Sequence, residues 1–62
     1  MIKLYSAISG RKSKLIGEGK NVIEAIHDAG LTFNDGVDTD EQMEDYVRGA
    51  RQDYVIEEVP RF

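Results

Sequence analysis

Asn21-Val22-Ile23-Glu24-Ala25-Ile26-His27-Asp28-Ala29-Gly30 is the stretch that decides the fold. Asn21 suits a helix N-cap, because its side-chain oxygen can accept an N–H that the first turn leaves unpaired. Glu24, three residues on, completes the capping-box pattern. Val22, Ala25, Ile26 and Ala29 recur at the i, i+3, i+4, i+7 spacing of one helix face. Gly30 stands where a left-handed residue closes a helix, and Leu31 can fold back onto the last turn. The spacing predicts a short amphipathic helix that needs a surface to cover.

The segments on either side supply that surface. In Met1–Ser9, Ile2, Leu4 and Ile8 fall on one face and Lys3, Tyr5 and Ala7 on the other, the period-2 pattern of a half-buried strand. Gly10-Arg11-Lys12-Ser13 has turn chemistry, and Lys14-Leu15-Ile16-Gly17-Glu18 reads as the return strand of a hairpin. Downstream, Leu31–Gly36 forms a connection whose Asn34-Asp35-Gly36 favours a turn. A second helix is expected from about Thr39 to Ala50, with apolar face Met43, Tyr46, Val47 and Ala50. Thr39 with Gln42 makes one capping box, and Asp38 with Glu41 fits the rule one residue earlier. Gly49 weakens the last turn. Tyr54–Val59 is rich in strand formers, and Pro60 ends it. The fold class expected is α+β: one domain over residues 1–62 in the order β-β-α-α-β. Its three-stranded antiparallel sheet has the last strand beside the first and helices packed on one face.

A chain of 62 residues buries only ~60% of the surface that its unfolded form exposes, so its core is thin. Cysteine is absent, which excludes disulfides, thiolate metal sites and a cysteine nucleophile. No apolar run approaches the ~20 residues of a membrane span, and the first residues lack the apolar stretch of a signal peptide. A soluble, cytoplasmic protein is expected. The net charge of −4 is unevenly placed: residues 1–34 carry +2 and residues 35–62 carry −6. Direct binding to nucleic acid is disfavoured, because a phosphate-facing surface must be basic.

Catalysis has little to build on. The one histidine, His27, falls outside the apolar stripe and reads as a surface or border residue. Ser6, Ser9 and Ser13 have no nucleophile motif around them. Gly17-Glu18-Gly19-Lys20 lacks the spacing of a phosphate loop, and a strand-end bulge or flexibility explains its glycines better. Asn34, Asp35, Asp38, Asp40 and Glu41 crowd hard oxygen ligands together, but Gln42 and Met43 break the calcium-loop pattern. No catalytic, cofactor-binding or metal-binding residue is expected.

The candidate site is acidic. Asp35, Asp38, Asp40, Glu41, Glu44 and Asp45 fall within eleven residues that contain no base. A helix N-terminus stabilises nearby acids through its dipole, which accounts for Asp38, Asp40 and Glu41. It accounts less well for Glu44 and Asp45, a turn further in. Arg48 can pair with either of those two. A partner for this surface would be a basic protein surface, where carboxylates replace phosphates as acceptors for Arg and Lys. Tyr46, Tyr54 or Phe62 would serve as aromatic anchors, with Tyr46 equally suited to the core. In size, charge and absence of catalytic motifs, the chain resembles the small acidic inhibitors of phages and other mobile elements, which include anti-CRISPR proteins and other DNA mimics. The resemblance is to a category, covers the whole chain and transfers no functional residue. It implies an inhibitor of a nucleic-acid-binding complex, acting in the host cytoplasm if phage-encoded. The alternative is a structural or assembly subunit, such as a homodimer. A competing charged site is the basic turn Arg11-Lys12-Ser13-Lys14, able to meet phosphate or the acidic helix of a second copy.

Overall fold

Two residues turn the first hairpin. Ser9 and Gly10 have φ of 52° and 80°, the pair of positive values that a two-residue type I′ turn requires. They join β1 (Ile2–Ile8) to β2 (Arg11–Gly19) in the computed structural model, which describes residues 1–60. The expected turn at Gly10–Ser13 and a return strand starting only at Lys14 are thus corrected. The twist of a type I′ turn already matches that of paired strands, so no longer loop is needed. Arg11, Lys12 and Lys14 lie on the strand, not on a turn.

β2 carries two residues more than the stretch of β1 it pairs with. Leu4 pairs with Gly17 and Tyr5 with Leu15, so Ile16 is bulged; Ser6 pairs with Lys14 and Ala7 with Lys12, so Ser13 is bulged too. β3 (Tyr54–Glu58) pairs antiparallel with the other side of β1 in unbroken register, from Ile2↔Glu58 to Ser6↔Tyr54. The sheet order is β2-β1-β3, so the last strand lies beside the first, as the pattern predicts.

The helices α1 (Val22–Ala29) and α2 (Asp40–Gly49) form where the sequence places them. The Glu24 N–H donates to Asn21 Oδ1 at 2.9 Å, and the Glu24 carboxylate accepts the Lys20 N–H at 3.1 Å. Gly30 closes α1 with φ 68°, donating its N–H to the His27 carbonyl. The helix lies directly on the β2 backbone. A Cβ at Gly17 would collide with the Ala25 carbonyl and the Ala29 backbone, and one at Gly19 with Glu24. Close approach is therefore what these two glycines provide, and the bulge at Ile16 lies directly beside Gly17. Both helices contribute to one cluster of buried side chains with the sheet: Leu4, Val22, Ala25, Ile26 and Val47. Ile2, Ile16, Phe33, Met43 and Ile56 pack around it, half-buried. Ile8 does not belong to it. Although its parity matches Leu4, it sits beside the hairpin turn, past the helices, and is 71% exposed.

Candidate functional site

The loop before α2 is held by short-range hydrogen bonds. Val37 N–H donates to the Asn34 carbonyl at 3.2 Å, closing a turn around Asp35 and Gly36, whose φ is 95°. Thr39 is the N-cap of α2: its hydroxyl accepts the Gln42 N–H at 3.2 Å. The Gln42 side-chain carbonyl accepts in return from Asp38 N–H at 2.8 Å and Thr39 N–H at 3.1 Å. The box is thus Thr39 with Gln42, not Asp38 with Glu41. It leaves both carboxylates of the unused pair exposed to solvent.

The six acids divide into two groups by their neighbours. Asp40 Oδ1 lies 3.2 Å from His27 Nε2 across the gap between the helices. One turn on, Glu44 Oε2 accepts from Arg48 Nε at 2.9 Å, the i, i+4 order that suits the helix dipole. Asp35, Asp38, Glu41 and Asp45 make no ion pair among the described residues, and all four are exposed. Glu41 and Asp45 share one outward face of α2, four residues apart, and Asp38 precedes that face at the helix entry. Glu44, expected to be among the unexplained acids, is the one with an arginine partner.

Tyr46 follows Asp45 in α2. It is 46% exposed and packs edge-on against Phe33, with ring centroids 5.5 Å apart at 81°. That contact supports one side of the ring and leaves the rest open. Of the expected apolar face of α2, only Val47 is fully buried; Met43 and Ala50 are half-buried. Phe62 lies outside the described residues.

The basic residues of β2 serve different neighbours. Lys12 Nζ sits 2.7 Å from Glu57 Oε2 across the uncovered sheet face and 4.8 Å from the centre of the Tyr5 ring. The Tyr5 hydroxyl donates to the other Glu57 oxygen at 3.4 Å. The hydrogen bond and charge of Lys12 hold the Glu57 carboxyl below the ordinary glutamate value, and Glu57 in turn raises Lys12. Among the described residues, no three His, Asp or Glu side chains converge as a metal site would need.

Sequence reasoning passed over one further feature. Between the end of α2 and β3 lies an open groove of about 440 Å³, lined by Val47, Arg48, Arg51, Tyr54 and Ile56. Partial burial, with Tyr46 and Asp53 nearby, pushes the Tyr54 phenol above its ordinary value. The signal was a pair of arginines three residues apart, just upstream of a strand. Only the folded register shows that they face it. No family model matches the chain, and it matches no curated protein or solved structure.

Proposed function

We propose that this protein is a non-enzymatic binding module that presents Asp35, Asp38, Glu41 and Asp45 to a basic surface of a nucleic-acid-binding partner. It acts there as an inhibitor of the DNA-mimic type, in the cytoplasm. The observation that carries the reading is the exposed file Asp38-Glu41-Asp45, which makes no ion pair among the described residues. Four exposed carboxylates with open coordination offer acceptors for Arg and Lys without first breaking an internal bond. Asp40 and Glu44 would have to give up His27 and Arg48, so they contribute less. Tyr46, next to Asp45 in α2, adds a preordered aromatic anchor of the kind that dominates interface energies. Charge of one sign also accelerates encounter with a basic partner and makes it salt-sensitive.

The test compares two sets of variants. Reversing Asp38, Glu41 and Asp45 to Lys should abolish capture of a basic nucleic-acid-binding partner and its inhibition, with the circular-dichroism spectrum unchanged. Asp40→Asn with Glu44→Gln should leave both nearly intact. Equal effects from the two sets would remove the basis for the proposal. A different part of the molecule, the free edge of β3, favours the alternative of an assembly subunit. Among the described residues, no helix is long and apolar enough to cross a membrane.

A further inference from the structure

We propose that a second copy of this chain docks along the outer edge of β3, joining two three-stranded sheets into one of six strands. The inference stands apart from the acidic surface and rests on the contrast between the two edges of the sheet. An open edge invites pairing, and proteins blunt it with bulges, proline or charges, lysine above all; the charges of β3 are two acids at its end, Glu57 and Glu58. β2 has bulges at Ser13 and Ile16 and carries Arg11, Lys12 and Lys14. β3 is regular, contains no base and meets proline only at Pro60.

The hydrogen-bonding pattern fixes which groups of β3 are available. Ala7 N–H donates to Asp53 O and Val59 N–H to Met1 O. By strand alternation, Val55 and Glu57 bond toward β1, and Tyr54, Ile56 and Glu58 turn their backbone groups outward. Tyr54 N–H is already taken by the Ala50 carbonyl at 2.9 Å. What remains is self-complementary about Ile56. An antiparallel two-fold there exchanges two hydrogen bonds between the Ile56 residues, and each Glu58 N–H reaches the Tyr54 carbonyl of the second copy. A two-fold interface requires this kind of reciprocity.

The side chains follow the same symmetry. Glu58 shares the helix-side face with Ile56 and Tyr54, by its pairing with Ile2. In the two-fold arrangement, Glu58 comes opposite Tyr54 of the second copy, at the groove that Arg51 and Arg48 line. Arg51 makes no ion pair among the described residues. Acid at one end of the strand and arginine at the other therefore meet twice. The need is physical as well: a buried core of five side chains among the described residues is small for a lone domain, and oligomerisation is a common remedy.

The experiment measures mass against concentration for the full chain by sedimentation equilibrium, with amide hydrogen exchange on the same samples. A dimer is expected whose formation protects the Ile56 and Glu58 amides. Ile56→Pro, which removes an outward N–H and leaves the β1 ladder complete, should yield a folded monomer. Glu58→Arg or Arg51→Glu alone should raise the dimer Kd by roughly tenfold, and the two together should restore it. A wild-type monomer at every concentration reached overturns the proposal. So does a dimer in which these two amides exchange freely or the charge swap gives no rescue; neither readout depends on Ile56→Pro folding.

Discussion

The two helices are held in unequal ways. α1 lies against the bare backbone of Gly17 and Gly19 and supplies Val22, Ala25 and Ile26 to the core. α2 supplies only Val47 to full burial, stands off β3 across a groove, and turns Asp40, Glu41 and Asp45 to solvent. Both are capped, so capping does not explain the difference; it lies in how closely backbone can approach backbone. A glycine-surfaced strand allows contact at a distance that no side chain permits. The β-hairpin and α1 form the tightly packed half of the molecule, and α2 is the more loosely held element.

Substitutions in the tight half should do the most damage. Gly17→Val drives a branched side chain into the α1 backbone, which cannot give way as a side-chain tip would. Overpacking of this kind costs about 3 kcal/mol or more, comparable to the whole stability of so small a domain; the chain should lose its cooperative thermal transition. Val47→Ala should cost less, about 1–3 kcal/mol by cavity arguments. If α2 is the separable half, amide exchange in this variant accelerates in α2 first and leaves α1 protected; uniform acceleration would erase the distinction. Thr39→Ala removes the cap hydroxyl and should cost about 1 kcal/mol in denaturant titration, with the effect confined to α2.

The smallest effect belongs to neither half but to the uncovered sheet face. Because Glu57 binds its proton more weakly when folded, the stability it contributes is complete above the ordinary glutamate range. It disappears as pH falls through the lowered folded value. Lys12, raised by the same contact, keeps its contribution through neutral pH and loses it only above the ordinary lysine range. Glu57→Gln should therefore melt slightly below wild type at neutral pH and together with it in acid. A gap that persists in acid would mean that packing, not charge, is what Glu57 supplies.

Local signals in the sequence were enough to read both helices. Asn21, Gly30, Thr39 and Gln42 act within four residues of themselves, and the structure uses each as a cap or stop. The Glu44–Arg48 pair was legible for the same reason, as one of two partners open to Arg48. The purpose of Gly17 and Gly19 was not, because it depends on α1 folding back to lie across the strand that precedes it. Ser9-Gly10 was overlooked beside a longer polar run, although two residues are all that a type I′ turn needs. Asp40's contact with His27 required knowing how the helices pair. The acidic surface was visible as composition, but its division into engaged and open carboxylates is a property of the fold.

β1 is the central strand, and its two neighbours come from very different distances along the chain. β2 follows after a two-residue turn, but β3 arrives some fifty residues later, with Ile2 meeting Glu58. Local closures are fast, and distant ones pay loop entropy first. The hairpin and α1 are therefore expected to be present in the folding transition state, with high φ-values at Val22 and Ile26 and low ones at Val55 and Ile56. On the ribosome, the first thirty residues would emerge with the hairpin and α1 able to meet, ahead of both Val47 and β3. Until Tyr54–Glu58 is synthesised, one whole edge of β1 waits unpaired, making the interval before the last strand the one in which a newborn chain is most exposed to mispairing.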